Sequence, residues 1–105
     1  MERIQFLCIE ECPTNEAAWN NLQESLARLD IQIKPERIVV NDDLEAEHYS
    51  FLGSPSIKVD GVDLWDTQKS DYHMGYRAYE TPHGMVDYPT VLMIMEQLAN
   101  LMKNA

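Results

Sequence analysis

The residues best suited to chemistry in this chain are its two cysteines and a Ser-Pro dipeptide. Cys12 begins a Cys-Pro-Thr-Asn segment, which lies between a short apolar run and a segment with helical periodicity. Ser54-Pro55 directly precedes a second short apolar run. Because a thiolate is a strong nucleophile and a soft metal ligand, Cys12 is the side chain whose chemistry can be inferred first.

The charge around Cys12 contains two opposing influences. At the N-terminus of a helix, a thiolate meets unpaired N–H groups and the positive end of the helix dipole, which favours the ionised form. Glu10 and Glu11 lie directly before Cys12, and neighbouring carboxylates disfavour a further negative charge. The sequence leaves the sum of these influences open.

Cys8 is the second candidate thiol and lies near the end of the first apolar run. Free cysteine is among the most buried residue types, which favours a small buried hydrophobe in a central strand. A Cys8–Cys12 disulfide needs Cα atoms within about 7 Å, so the intervening loop would have to fold back sharply. We predict that this disulfide does not form.

Hydrophobic periodicity predicts alternating strands and helices in the first part of the chain. Residues 3–9 have the continuous apolar content of a strand covered on both faces. Pro13 suits the first turn of a helix, where its missing N–H leaves no bond unmade. That helix carries one apolar stripe, formed by Trp19, Leu22, Leu26 and Leu29. The next strand is predicted within residues 31–40, and because Pro35 cannot donate to a ladder, this strand is expected at a sheet edge.

Turn residues divide the second part of the chain. A short helix is predicted from N-cap candidates at 41–43 to Leu52, with Gly53 suited to ending it. Asp60-Gly61 predicts a hairpin between residues 56–60 and 62–65. Residues 66–75 have weak periodicity, typical of a loop; a strand at 76–80 and a turn at 81–84 follow. The final helix is predicted from Pro89 to about Lys103, and its wide apolar surface indicates packing on a sheet or additional burial in a homodimer.

This order, β-α-β-α-β-β-α, is that of the thioredoxin/glutaredoxin core, and three blocks carry a closer likeness: residues 11–13, 51–61 and 76–84. The chain resembles a small bacterial family of thioredoxin-like proteins, some of them associated with mercury or organomercurial resistance. The resemblance covers nearly the whole chain. It implies an α/β fold in which a central four-stranded mixed sheet is flanked by helices.

The resemblance also implies a site. Cys12 is expected to be the active-site cysteine, facing a loop in which Pro55 is a cis proline. The backbone beside that proline is expected to pair with an extended thiol substrate. Supporting or substrate-binding roles are implied for the residues around these two points: Pro13, Asn15, Ser54, Tyr76 and Arg77.

Two positions depart from the thioredoxin pattern. Asn15 stands where thioredoxins carry a second cysteine, so the fast intramolecular resolution of a mixed disulfide by a Cys-x-x-Cys pair cannot occur. Tyr76 stands where relatives often carry a second cysteine before an arginine. Arg77 itself has two interpretations. It is either a cation able to bind a carboxylate near the thiol or the partner of a surface acid, for which the candidates are Asp60, Asp63 and Glu80.

Length and composition bound the remaining classes. At 105 residues the chain is long enough for one core, which predicts a single domain over 1–105. Its net charge of −10, from 8 basic and 18 acidic side chains, leaves no basic patch for nucleic acid. No apolar stretch approaches the ~18 residues of a membrane span and no signal-peptide pattern precedes the first strand, so a cytoplasmic location without membrane contact is predicted. No phosphate loop, serine nucleophile motif or zinc-type Cys/His spacing is present, and neither cofactor nor metal is expected.

Two functions remain open. The first is a single-cysteine thiol-disulfide oxidoreductase, in which Cys12 forms a mixed disulfide with glutathione or a protein thiol and an external thiol resolves it. The second is a non-enzymatic thioredoxin-fold binding module, in which Cys12 captures a soft metal such as mercury or the redox site is vestigial and serves protein contacts.

Overall fold

The computed structural model describes residues 1–65 and 71–103. Within these residues a four-stranded mixed sheet is formed by β1 (Ile4–Cys8), β2 (Glu36–Val39), β3 (Ser56–Val59) and β4 (Val62–Asp63). It is flanked by the helices α1 (Asn15–Arg28), α2 (Asp43–His48) and α3 (Val91–Lys103). A separate hairpin consists of β5 (Tyr79–Thr81) and β6 (Gly84–Val86). The molecule is therefore an α/β protein.

The first strand lies at the centre of the sheet, whose spatial order is β2-β1-β3-β4. It runs parallel to β2 and antiparallel to β3, and all five of its residues are buried. Because side chains alternate along a strand, β1 contributes to two apolar cores. Ile4, Phe6 and Cys8 pack with residues of α1 and α3, while Leu7 packs in a second core with residues of α2. The prediction of a strand covered on both faces is confirmed.

Two predictions about the sheet edges are also confirmed. The second strand lies at an edge, although it begins only after Pro35 and is shorter than residues 31–40. The β3–β4 turn is formed by Asp60 and Gly61, both with left-handed backbone (φ 51° and 84°), as a two-residue hairpin turn requires. The return strand ends at Asp63, however, and does not extend to Trp65.

The helix boundaries differ from the predicted ones. Pro13 precedes α1, whose N-cap is Thr14, so the proline does not lie in the first turn. The second helix stops at His48, well before Leu52. It is ended by Ser50, whose left-handed backbone (φ 52°) lets the Phe51 N–H donate to the Ala46 carbonyl, while Gly53 lies further along the chain.

The side chains that α1 buries differ from the predicted apolar stripe. Leu22 and Leu26 are buried as expected, whereas Trp19 and Leu29 are only partly buried. Ala18 and Ser25 are fully buried instead. The Ser25 hydroxyl donates to the Asn21 carbonyl of its own helix and lies 3.2 Å from the Val91 carbonyl, so small side chains bring α1 close to α3.

The chain between β4 and α3 departs most from expectation. Residues 66–70 of the predicted loop lie outside the described residues, and 71–75 form neither helix nor strand. Tyr76 makes an isolated parallel bridge to Ser54, and β5 begins only at Tyr79, paired with a β6 strand that the sequence did not predict. The third helix buries Ile94 and Leu98 but leaves Leu92 exposed. No helix in the described part of the chain combines the length and apolar character of a membrane span.

Candidate functional site

Cys12 lies in the turn between β1 and α1. Its N–H donates to the Ile9 carbonyl at 3.0 Å, and its own carbonyl accepts from the Asn15 N–H at 3.3 Å. These bonds hold the residue at the end of the central strand, directly before the helix. The cysteine is only 6% exposed, so little of it is accessible to reagents.

Thr14 connects the thiol to the helix N-terminus. It occupies the N-cap position of α1, yet its side chain accepts no hydrogen bond from the helix N–H groups. The Thr14 Oγ1 instead lies 3.3 Å from the Cys12 Sγ. A hydroxyl at this distance can donate to a thiolate, and the first turn of α1 keeps its positive end without a side-chain cap. The Thr14 hydroxyl is therefore available to hydrogen-bond the Cys12 sulfur.

A cleft of about 380 Å³ opens beside the thiol. Its lining is Cys12, Pro13, Thr14, Ser54, Tyr76, Arg77 and Asp87. Tertiary folding thus brings together five residues that the sequence singled out, from three separate segments. Thr14 and Asp87 were not predicted; the N-cap position of Thr14 is a sequence signal that could have identified it, whereas nothing near Asp87 indicates the cleft. Pro55 and Asn15 are buried beside this cleft and do not line it.

The Ser54-Pro55 loop is tied to the cysteine turn. The Ile9 N–H donates to the Ser54 hydroxyl at 3.0 Å, which fixes the loop against the end of β1. The Ser54–Pro55 peptide bond is cis, as the resemblance implied. The Pro55 carbonyl accepts from the buried Tyr79 hydroxyl, and burial raises the pKa of that phenol.

The backbone of this loop is not open to a substrate. The Ser54 N–H donates to the Gly75 carbonyl at 2.8 Å, and the Ser54 carbonyl accepts from the Arg77 N–H at 3.0 Å. The chain's own residues 75–77 therefore occupy the position at which an extended substrate was expected to pair. A substrate could pair with the Ser54 backbone only by displacing these residues, because its donor and acceptor are already used.

Gly53 allows this close approach of residues 75–77. Its backbone has φ +116°, a conformation that side chains rarely adopt. A Cβ at this position would lie 2.9 Å from the Arg77 Cβ. Glycine is thus required at position 53 for two independent reasons, backbone conformation and space.

Arg77 lines the cleft but is engaged elsewhere. Its guanidinium forms two hydrogen bonds with Asp63, at 2.7 and 3.0 Å, and the two side chains are only 8% and 10% exposed. It also donates to the Ser56 hydroxyl at 3.2 Å and the Trp65 carbonyl at 3.3 Å. Of the two interpretations of Arg77, pairing with an acid is the one observed, although the pair is buried and not on the surface.

Asn15 occupies the place of a second cysteine and serves the turn. Its Nδ2 donates to the Ile9 carbonyl at 2.7 Å, while the residue is only 5% exposed. Its Oδ1 is the one buried side-chain polar atom without a hydrogen-bond partner among residues 1–65 and 71–103. The amide thereby stabilises the loop that carries Cys12.

Cys8 is separated from the cleft. It is fully buried in the core that contacts α1 and α3, whereas Cys12 packs in the other core. Burial raises the pKa of Cys8, and the nearby Arg37 guanidinium partly offsets this effect. Both cysteines are free thiols in this structure, and the absence of a Cys8–Cys12 disulfide stays a prediction.

A larger cavity, of about 700 Å³, shares Tyr76 and Arg77 with the thiol cleft but is not lined by cysteine. We therefore place the candidate site at the smaller cleft, which Cys12 lines. In the described part of the chain, no three His, Cys, Asp or Glu side chains are grouped as a metal site would need.

The chain matches no protein-family model, no curated protein and no solved structure.

Proposed function

We propose that this protein is a single-cysteine thiol–disulfide exchange protein of thioredoxin-like topology, with Cys12 as its nucleophile. The observation that carries the proposal is the position of Cys12. It lines a cleft, lies in the turn before α1, contacts the Thr14 hydroxyl, and shares the cleft with Ser54. The sheet order β2-β1-β3-β4, with β1 parallel to β2 and antiparallel to β3, supports the thioredoxin-like topology that the sequence resembles.

The exchange step follows from these groups. The Cys12 thiolate, after losing its proton to solvent, attacks one sulfur of a disulfide. A bond forms between Cys12 and that sulfur, the original S–S bond breaks, and the second sulfur leaves as a thiolate with the electron pair. The Thr14 hydroxyl, 3.3 Å from the attacking sulfur, can donate a hydrogen bond to it during the attack.

Resolution of the mixed disulfide requires a second, external thiol. Asn15 carries no sulfur, and Cys8 is fully buried in the opposite core. A thiol from solution, such as glutathione or a protein thiol, therefore attacks the Cys12-bound disulfide and regenerates the free cysteine. We place this chemistry in the cytoplasm, where such thiols are kept reduced.

A second function is favoured by a specific observation, the internal pairing of Ser54. Because residues 75–77 occupy the loop backbone and Cys12 is largely covered, the same arrangement suits a non-enzymatic binding module whose redox site is vestigial. Soft-metal capture by such a module would need another ligand beside Cys12, and Cys8 lies in the other core. A homodimer through α3 also stays a prediction; its exposed side chains Leu92, Leu101 and Met102 are the apolar surface available for it.

The test uses a small neutral disulfide. Purified protein is incubated with 2-hydroxyethyl disulfide near neutral pH, and adduct formation is followed by mass spectrometry of the intact chain. We expect one mercaptoethanol adduct on Cys12, formed at least about tenfold faster than on an unstructured cysteine peptide. Cys8→Ser is the matched control and should react as the unchanged protein does, whereas Cys12→Ser should form no adduct. A rate equal to that of the peptide would refute exchange activity and support the binding module.

A further inference from the structure

The selectivity of the Cys12 cleft can be argued from its walls, on the basis of the proposed exchange function. Proteins that bind extended peptides at a sheet or loop edge use free backbone donors and acceptors. At the Ser54-Pro55 loop these groups are taken: Ser54 is bonded on both sides to residues 75–77, and the Pro55 carbonyl accepts from Tyr79. A peptide therefore finds no backbone ladder beside the thiol.

The size of the cleft restricts the reactant further. Its volume of about 380 Å³ is at the lower end of the range for small-molecule sites. Cys12 is only 6% exposed and lines this cleft. The exposed Tyr76 and residues 12–14 both line the cleft. A compact molecule fits this space, whereas a long chain would have to displace residues 75–77.

Among residues 1–65 and 71–103, the charged side chains of the cleft that lack an ion-pair partner are carboxylates. The arginine in its lining, Arg77, is neutralised by Asp63, and Arg37, close to the start of α1, is paired with Glu16 at 2.8 Å. Asp87 also lines the cleft, is exposed, and forms no ion pair with any residue in 1–65 or 71–103. Glu10 and Glu11, both exposed, lie directly before Cys12. With the net charge of −10, these carboxylates make the approach to the thiol electronegative.

We infer that Cys12 exchanges with compact cationic or neutral disulfides and discriminates against anionic and extended peptide disulfides. Attack proceeds as described above: the Cys12–S–S–R bond forms, the reagent's S–S bond breaks, and RS⁻ leaves with the electron pair. A cationic reagent is attracted by Asp87 and the neighbouring glutamates, while the carboxylates of glutathione disulfide are repelled. Asp87 acts here as a specificity-determining residue.

The experiment compares four symmetrical disulfides on the Cys8→Ser protein: cystamine (cationic), 2-hydroxyethyl disulfide (neutral), glutathione disulfide (anionic) and a blocked neutral Gly-Cys-Gly disulfide. Each rate of Cys12 modification is divided by the rate at which the same reagent modifies an unstructured cysteine peptide. This ratio corrects for the differing intrinsic reactivities of the four reagents. At an ionic strength of about 10 mM we expect cystamine to be favoured over glutathione disulfide by about tenfold. The neutral peptide disulfide should react no faster than 2-hydroxyethyl disulfide.

Two variants assign the charge effect. Asp87→Asn should reduce the preference for cystamine about two- to threefold, and raising the ionic strength to about 500 mM should reduce it to a similar extent. Glu2→Gln is the matched control, because it removes one exposed carboxylate at the opposite end of β1 from Cys12. This control should leave the preference unchanged.

The outcomes separate the two proposals. If no reagent modifies Cys12 faster than the cysteine peptide, both the exchange function and this selectivity are refuted. If Cys12 reacts rapidly but glutathione disulfide or the peptide disulfide is preferred, exchange stands and the selectivity is overturned. An unchanged preference in Asp87→Asn removes the specificity role of that residue.

Discussion

The buried Arg77–Asp63 pair offers the sharpest test of how the site is built. In Arg77→Met, four hydrogen bonds are lost, two of them to Asp63, and the Asp63 carboxylate is left 10% exposed without its cation. Removing one partner of a buried pair typically costs about 3–5 kcal/mol, because the remaining charge is uncompensated. Since a domain of this size has about 5–15 kcal/mol of stability, the variant should lose a large part of it.

Urea unfolding followed by tryptophan fluorescence measures this loss, which should lower the midpoint by about 2–3 M. Asp63→Asn is the matched partner, because its side-chain oxygen can still accept from the Trp65 N–H, as Asp63 does at 2.9 Å. The double variant has neither buried charge, so it should be more stable than the sum of the single losses predicts, by about 2 kcal/mol or more. A loss below about 1 kcal/mol in Arg77→Met, or strict additivity in the cycle, would refute the reasoning.

Two further variants test local features of the same structure. Gly53→Ala should destabilise the protein more than Gly84→Ala, by about 1–3 kcal/mol in urea unfolding. The two glycines have similar φ values, +116° and +117°, but only at position 53 would a Cβ contact Arg77. Equal losses of stability would contradict this close contact. Hydrogen bonds from the Arg3 and Glu2 N–H groups lower the pKa of Asp60 below its ordinary 3.8, so its contribution to stability is present above pH 3.8 and is lost as the pH falls through the folded-state value. Asp60→Asn should therefore lower the melting temperature at neutral pH and flatten its decrease in acid, and an unchanged acid limb would show that these bonds contribute nothing.

Local patterns predicted the elements whose cause is local. The apolar run of β1 and the Asp60-Gly61 turn act through residues close together in the chain, and both were found as expected. The ends of α1 and α2 were not predicted, because Asp30 and Ser50 adopt left-handed backbone although neither is glycine. Each is followed by an apolar residue drawn inwards, such as the fully buried Phe51, whose burial and hydrogen bond to Ala46 offset the cost of the conformation.

The candidate site divides in the same way. Cys12 could be identified from sequence because its position between a strand and a helix is set by nearby residues. Asp63 as the partner of Arg77 could not be chosen over other acids, since only folding brings the two into contact across 14 positions. The pairing of Ser54 with residues 75–77 could not be predicted either. Nearly every residue carries the same backbone donor and acceptor, so residue types do not indicate which backbone groups pair.

By itself, the sequence determined an α/β protein with a cysteine, Cys12, between its first strand and first helix and with Asn15 three residues later. Those properties depend on residue identity and short-range periodicity, which are written directly in the chain. Only the tertiary structure decided three contacts. Residues 75–77 hydrogen-bond to the backbone of Ser54, Arg77 pairs with Asp63, and Asp87 lines the cleft beside Cys12. These contacts join segments that are distant in the sequence. They form because a buried polar group without a hydrogen bond costs free energy, and the fold decides which partners are within reach.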